Sequence, residues 1–229
     1  LRVNGEKLNR LYEVIPDFHN TVKRFEKFEK ALELDAYGRA ESAAAEIDFA
    51  LARKEQTSVV VDLLASGELP LTVTHNDTKI NNVMLDDCDG RGVCVIDLDT
   101  VMPGSVLYDF GDEIRTSTSK SAEDERDLSK VKFSMEYFSE LVRGYLESAG
   151  AFLNEKEISL LAFSGRLITF EIGLRFLTDY LEGDVYFKVH RDGHNLDRCR
   201  TQFELVRQME ELSDEMEKVV AEHRAALLG

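Results

Sequence analysis

Residues 71–86 read LTVTHNDTKINNVMLD, and residues 93–100 read VCVIDLDT. Both segments are rich in β-branched residues, and the intervening DCDGRG at 87–92 has the composition of a turn. This order predicts a strand, a polar loop, a strand, a tight turn and a further strand. Because residues 93–96 form an unbroken apolar run, we expect the last strand to be buried.

The polar loop between the first two strands carries residues suited to phosphoryl transfer. His75, Asp77 and Asn82 follow the spacing H-x-D-x-x-x-x-N, and Asp97 ends the later strand. Phosphoryl transfer needs a carboxylate that accepts the acceptor's proton and oxygen ligands that hold Mg²⁺ against the nucleotide phosphates. The spacing therefore predicts Asp77 as the base and Asn82 with Asp97 as metal ligands.

A structural interpretation competes with this one. Asp and Asn are ordinary turn residues, and a histidine near a strand is usually a hydrogen-bonded structural residue. In a chain of this length and composition, the three-residue pattern arises by chance with a probability of roughly one in a hundred. Asp97 strengthens the functional interpretation because it follows at the end of a predicted strand.

Several motifs along the chain resemble those of the aminoglycoside phosphotransferase and choline kinase superfamily, and most closely its N-acetylhexosamine 1-kinase branch. They are IPDFHNT at 15–21, HNDTKINN at 75–82, IDLDTVMPG at 96–104, YDFGD at 108–112 and RFLTDYL at 175–181. The resemblance implies an ATP- and Mg²⁺-dependent kinase that phosphorylates the anomeric hydroxyl of N-acetylglucosamine or N-acetylgalactosamine.

The resemblance also implies roles for single residues. Those matching Lys79, Arg175 and Tyr186 contact the acceptor sugar, and Lys79 could also offset negative charge during transfer. Asp109 would tie the polar loop through hydrogen bonds to backbone amides, and His75 is assigned to structural support of the same loop.

Other acidic side chains have two possible roles each. Asp99 either assists the metal or caps a turn. Glu171, Arg175 and Asp179 recur every four residues within an apolar helical segment, so they share one face and need partners. That face is either an internal ladder of salt bridges or a surface that binds substrate.

The fold class predicted is α+β and mainly α-helical, with a small catalytic β-hairpin. Before residue 75 there is no glycine-rich loop followed by a strand lysine, as kinases use to cover nucleotide phosphates. We therefore expect residues 1–229 to be the C-terminal lobe of a protein-kinase-like fold of the aminoglycoside phosphotransferase type. Its partner would be an N-terminal nucleotide lobe absent from this chain, and the lobe alone should be inactive.

Composition narrows the class of protein. With 229 residues and 43% hydrophobic residues, the chain can form one soluble domain with a substantial core. A formal net charge of −16 argues against nucleic acid as a partner. We expect no membrane association and a cytoplasmic location, because no apolar run could span a bilayer and the three cysteines lack metal spacing.

Periodicity predicts the helices around this hairpin. We expect one helix over 41–65, one over 121–149 that is capped at Ser121, and one long final helix from 195 onwards. Asn154 and Glu157 form a capping-box pattern ahead of an apolar, central helix over 160–181.

Two other functions remain open at this stage. The chain could be a non-catalytic module that binds sugar or protein, which would bind no nucleotide. It could also be a choline- or aminoglycoside-type kinase, although cationic acceptors favour an acidic or aromatic cage, and Lys79 with Arg175 favours a neutral, hydroxyl-rich acceptor.

Overall fold

A computed structural model describes residues 11–229 of the chain. Within this range, α-helices predominate and the strands are short. The helices are α1 (Thr21–Leu34), α2 (Ala44–Leu51), α3 (Val59–Ser66), α4 (Val106–Ser117), α5 (Met135–Ala149), α6 (Glu155–Ser159), α7 (Leu161–Leu181), α8 (His194–Glu211) and α9 (Ser213–Leu228). The strands are β1 (Thr72–Thr74), β2 (Val83–Leu85), β3 (Gly92–Val95) and β4 (Met102–Gly104).

The strands form two small antiparallel sheets. β1 pairs with β4, and β2 pairs with β3 in a hairpin whose register joins Val83 to Val95 and Met84 to Cys94. The predicted order of strand, loop, strand, turn and strand is confirmed. The predicted burial of β3 is wrong, since Val93 is 59% and Val95 51% exposed. Their β-branched side chains favour a strand, but burial depends on neighbouring elements that the sequence pattern does not reveal.

Helix α7 is the centre of the fold, as predicted. Most of its residues are buried, and it contributes to two hydrophobic clusters. One cluster joins α7 to α4, α5 and the C-terminal helix α9, and the other joins it to α1, α2 and α8. Removal of this much apolar surface from water is the main stabilising term of the domain.

Two glycines allow α4 to pack closely on α7. A Cβ atom at Gly111 would lie 2.5 Å from the carbonyl oxygen of Ser164, and one at Gly165 would lie 2.8 Å from a methyl group of Ile114. Both distances are too short for a real contact. The close approach matters for the site described below, because α4 carries Asp109 and α7 carries Glu171.

The helix predicted over 41–65 is interrupted. The segment contains the 3₁₀ turns Glu41–Ala43 and Lys54–Ser58 in addition to α2 and α3. At the interruption, the Thr57 hydroxyl donates to the carbonyl of Lys54 at 2.6 Å. Such bonds from side chains to the backbone compete with regular helix.

The helix predicted over 121–149 begins later than expected, at Met135. Ser134 is its N-cap, and its hydroxyl accepts a bond from the backbone N–H of Tyr137 at 3.3 Å. Ser121 instead bonds the hydroxyl of Ser119 at 2.8 Å. Residue 131 contributes to the core from the segment that precedes the helix.

The remaining helix predictions are confirmed in part. The capping box of Asn154 and Glu157 is present, although it caps the short α6, and α7 starts after Leu160. The predicted final helix is divided at Leu212 into α8 and α9. None of the helices in the described part of the chain combines the length and apolarity needed to cross a membrane.

Candidate functional site

The loop of residues 75–82 follows β1 and is held by the first turn of α4. The Asp109 carboxylate accepts the backbone N–H groups of His75 at 3.0 Å and Asn76 at 2.7 Å. The hydroxyl of Thr78 donates to the Asp109 carbonyl. Burial raises the pKa of Asp109, and the two amide bonds oppose that shift. Asp109 thus fixes the backbone of this loop, which we call the 75–82 loop.

Asn76 gives the loop its sharp change of direction. Its φ is +64°, a left-handed conformation that Asn tolerates better than most residues. The side-chain amide is buried and donates to the carbonyl oxygens of Thr74 and Thr100 at 3.3 and 3.0 Å. These bonds hold the loop to the end of β1 and to the 3₁₀ turn Leu98–Thr100 that precedes β4.

His75 connects the loop to the end of β3. Its Nε2 lies 2.9 Å from the carbonyl oxygen of Ile96, and its Nδ1 lies 3.3 Å from the backbone nitrogen of Asp77. A carbonyl only accepts and a backbone N–H only donates, so the ring must donate through Nε2 and accept through Nδ1.

Asp77, Lys79 and Asn82 form a cluster at the end of the loop. The Asp77 Oδ2 atom accepts from Lys79 Nζ at 2.6 Å and from Asn82 Nδ2 at 3.0 Å. Asn82 Nδ2 also donates to the backbone carbonyl of Asp77 at 2.8 Å. Because the amide nitrogen of Asn82 is used in this way, its oxygen is left as the atom that can bind a cation.

The β2–β3 hairpin brings Asp97 to the same end. The register places Asn82 opposite Ile96, and the backbone N–H of Ile96 donates to the Asn82 carbonyl at 2.9 Å. Asp97 follows directly and is exposed, with a left-handed φ of +61°. Asp99 lies in the adjoining 3₁₀ turn Leu98–Thr100 and is exposed.

The residues at this end supply only oxygen ligands to a cation. Carboxylate and amide oxygens are the donors that hard cations such as Mg²⁺ prefer. Within residues 11–229, no group of three or more His, Cys, Asp or Glu side chains is arranged to hold a metal. Asp97 and Asn82 supply two oxygen ligands, and Mg²⁺ commonly keeps waters or phosphate oxygens as its further ligands.

Arg175 and Tyr186 lie together in a separate cavity. The Arg175 guanidinium is 5.6, 5.9 and 5.5 Å from the ring centres of Phe18, Tyr186 and Phe187. Arg24 and Lys27 also line this cavity. Among the described residues, no hydrogen bond or ion pair links Arg175 or Tyr186 to Asp77.

Glu171 and Asp179, which share a helix face with Arg175, bind residues other than Arg175. Asp179 accepts the backbone N–H groups of residues 185–187 and so fixes the segment that carries Tyr186. Glu171, one helical turn before Arg175, binds His19 and Thr21. The structure forms no salt-bridge ladder among Glu171, Arg175 and Asp179, all of which it describes.

A polar cavity of about 320 Å³ opens beside Lys79. Its lining includes the hydroxyl groups of Thr116, Ser119 and Ser121 and the amide of Gln202. Gln202 is buried, and its Oε1 atom has no hydrogen-bond partner within the described residues. The cavity therefore offers hydrogen-bonding groups next to the Asp77–Lys79 pair.

One contact of the loop, made by His19, was not predicted from the sequence. His19 precedes α1 and is buried, with Nδ1 2.9 Å from Glu171 Oε1 and Nε2 2.9 Å from the carbonyl oxygen of Asn76. The two partners lie 152 and 57 residues away in the sequence, so no local spacing of residues predicts these contacts. The available signal was Glu171, an acidic residue in an apolar helix that needed a partner.

Comparison with known families supports the chemistry of this region. Residues 4–149 match the profile of the family described as "Phosphotransferase enzyme family", APH. The match covers more than half of the chain and includes the 75–82 loop, the β2–β3 hairpin and α4. The chain belongs to the APH family of phosphotransferases.

Proposed function

We propose that this phosphotransferase moves the γ-phosphoryl group of ATP to a hydroxyl of a sugar, and specifically to the anomeric hydroxyl of an N-acetylhexosamine. The observation that carries the proposal is the cluster of Asp77 with Asn82, next to which the hairpin ends at Asp97. Family membership makes phosphoryl transfer the relevant chemistry.

Asp77 is the proposed base. Within the described residues, the hydrogen bonds from Lys79 and Asn82 fall on Oδ2, which leaves Oδ1 for the acceptor hydroxyl. Oδ1 takes the hydroxyl proton as the acceptor oxygen forms a bond with the γ-phosphorus. The bond from that phosphorus to the bridging oxygen breaks, and ADP leaves with its electron pair. Lys79 offsets negative charge beside this oxygen.

Asn82 and Asp97 are the proposed ligands of Mg²⁺. When bound, the ion would neutralise charge on the nucleotide phosphates and orient them. The protein holds Asn82 for this role through Asp77 and holds the start of the Asp97 turn through the His75–Ile96 bond. Asp99 is exposed next to Asp97 and is a further possible ligand.

Lys79, Arg175 and Tyr186 are the proposed acceptor-binding residues. Hydroxyl and amide groups beside Lys79, together with a guanidinium held among aromatic rings, favour a neutral acceptor rich in hydroxyls. Choline or an aminoglycoside is disfavoured because three cationic residues, Arg24, Lys27 and Arg175, line the second cavity beside a single carboxylate, that of Asp179, and repel a cation.

The exposed apolar side chains of the β2–β3 hairpin are the proposed contact for the nucleotide base and for a nucleotide-binding lobe. Its exposed side chains include Met84, Leu85, Val93 and Val95. A cluster of this kind at a site is typical of a surface that binds a ligand or another domain.

The test is a phosphorylation screen of the complete protein with ATP and Mg²⁺ against N-acetylglucosamine, N-acetylgalactosamine, choline and an aminoglycoside. We expect ADP release and a phosphorylated product only with the N-acetylhexosamines. Turnover of choline or the aminoglycoside would overturn the acceptor class. Absence of nucleotide binding would instead favour a non-catalytic module that binds sugar or protein.

A further inference from the structure

His19 reaches the backbone of the 75–82 loop from the helical side of the fold. The ring is 6% exposed and lies between Glu171 on α7 and the peptide group that joins Asn76 to Asp77. The Phe18 ring lies edge-on to it, with ring centres 4.7 Å apart. A buried polar ring must satisfy both nitrogens, so its partners define its protonation.

Both partners of His19 accept hydrogen bonds. One is the Oε1 atom of Glu171 and the other is the Asn76 carbonyl, each 2.9 Å from a ring nitrogen. A neutral ring has one N–H and could satisfy only one of them, whereas an imidazolium satisfies both. The Thr21 hydroxyl donates to the second Glu171 oxygen, which favours the ionised carboxylate.

The charges around the ring agree with this assignment. Burial alone would lower the pKa of His19, but Glu171, the Asn76 carbonyl and Asp112 outweigh it and raise the pKa overall. Asp109 also interacts with His19, and Arg175 lies beside Glu171. Burial would raise the pKa of Glu171, yet His19, Thr21 and Arg175 hold it below its usual value.

The two histidines hold opposite ends of one peptide group. The Asn76 carbonyl oxygen accepts from His19 Nε2 at 2.9 Å, and the N–H of the same peptide, on Asp77, donates to His75 Nδ1 at 3.3 Å. This peptide carries the left-handed Asn76 on one side and the proposed base on the other. A rotation of the peptide would move the Asp77 carboxylate directly.

We propose that His19, as a buried imidazolium paired with Glu171, is a positioning residue that fixes the Asn76–Asp77 peptide and thereby aims the Asp77 carboxylate. The catalytic consequence rests on the proposed function, whereas the protonation of the ring does not. Orientation of a reacting group within a fraction of an ångström changes rate strongly, and a displacement of about 1 Å can cost about 100-fold.

The variants His19→Gln and His19→Asn separate positioning from a purely structural role. A Gln amide nitrogen reaches about as far as Nε2 and can still donate to the Asn76 carbonyl, whereas an Asn amide nitrogen reaches only to Nδ1 and can serve Glu171 alone. Both variants lose the charge and have similar polarity. We expect His19→Asn to lower kcat about 10- to 100-fold and His19→Gln less than about tenfold, with the acceptor KM nearly unchanged in both.

The control is His223→Gln. His223 bonds the Ser139 hydroxyl at 2.9 Å between α5 and α9, remote from the loop, so kcat should not change. Equal kcat values for the folded His19→Gln and His19→Asn variants would overturn the positioning role while leaving the proposed kinase activity intact.

Nitrogen-15 NMR of the ring in the wild-type protein tests the imidazolium without a variant and without substrate. At a pH about one unit above the ordinary histidine value of about 6.5, both ring nitrogens of His19 should still carry protons. A ring nitrogen without a proton at that pH would overturn the assignment, even if the His19 variants fail to fold. Persistence of both protons in a protein that phosphorylates nothing would place the failure in the proposed function instead.

Discussion

The 75–82 loop has two sides that differ in how completely the chain surrounds them. On the helical side, His19 is 6% exposed and bonds the Asn76 carbonyl of the loop, and it is paired in turn with Glu171, which is fully buried. On the hairpin side, Asp97 and most of the neighbouring apolar side chains are exposed. The helical side fixes the proposed base through the chain's own contacts, whereas the hairpin side presents the proposed metal ligands to whatever binds there.

The largest loss of activity should come from a substitution of Asp77, which lies between the two sides of the loop. Asp77→Asn removes the proposed proton acceptor and keeps the size of the side chain, so kcat should fall about 10²- to 10⁴-fold. Steady-state kinetics and a thermal unfolding curve of the complete protein measure this, and the melting temperature should change little. Retention of more than a few per cent of kcat would reject Asp77 as the base.

On the helical side, Glu171→Ala leaves the cationic His19 buried without its carboxylate. Removing one partner of a buried ion pair usually costs about 3–5 kcal/mol in the free energy of unfolding. Urea unfolding should show this loss, and Glu155→Ala, which breaks an exposed and solvent-screened pair with Arg224, should lower stability far less. Equal losses in the free energy of unfolding for both variants would mean that His19 and Glu171 do not form a buried, stabilising ion pair.

On the hairpin side, Asp97→Asn should leave the stability of the protein nearly unchanged and weaken its binding of Mg²⁺. The exposed carboxylate loses its charge, so the Mg²⁺ concentration that gives half-maximal rate should rise at least about tenfold. Asp99→Asn makes the same change two residues away and tests whether the neighbouring carboxylate is also a ligand. An equal effect for Asp99→Asn would show that both carboxylates bind the metal. No effect for Asp97→Asn would show that Asp97 is not a metal ligand.

The same substitution on each side tests the difference in packing. Val142 is fully buried in α5 and Val93 is 59% exposed in the hairpin. Val142→Thr should cost about 1–3 kcal/mol because it buries a hydroxyl, whereas Val93→Thr should stay within about 0.5 kcal/mol. Urea unfolding of both variants measures this. Equal losses would show that the hairpin is covered in the protein in solution.

Glu113 on α4 predicts a pH dependence of stability. Burial, with repulsion from Asp109 and Asp112, raises its pKa to about 7 from an ordinary 4.5. Between these values the folded chain keeps a proton that the unfolded chain has lost, so this group lowers stability as the pH rises. Glu113→Gln should therefore stabilise the protein by about 1–3 kcal/mol above pH 7 and have little effect near pH 4. A variant that is equally or less stable at both pH values would contradict the shift.

Local signals in the sequence predicted the local features of the fold. The β-branched runs located the strands around the loop, and Asn154 with Glu157 predicted a capping box that the structure contains. Both features depend on residues a few positions apart. The break in the helix predicted over 41–65 was missed because its cause, a Thr57 bond to the backbone, competes with a periodicity that continues through it.

Distant packing accounts for the features that the sequence could not predict. An apolar run such as 93–96 has the same composition whether or not another element covers it, so its exposure was unforeseen. The partners His19 and Glu171 are 152 residues apart and meet only because α1 and α7 pack together. Of the site, the spacing H-x-D-x-x-x-x-N and the position of Asp97 after a predicted strand pointed to Asp77, Asn82 and Asp97. The contacts of His19 with Glu171 and Asn76 were visible only in the structure.

Asn82 and Asp97 are proposed to hold one divalent cation beside the carboxylate of Asp77, and the phosphotransfer mechanism depends on this arrangement. Paramagnetic broadening by Mn²⁺ in the presence of ATP, followed by NMR of the isotopically labelled wild-type protein, tests it most directly. The account predicts that the Asn82 side-chain amide and the backbone signals of Asp77 and Asp97 broaden first and together, at low Mn²⁺ and only when ATP is present. Broadening centred on another part of the protein, or of only one of these residues, would contradict it.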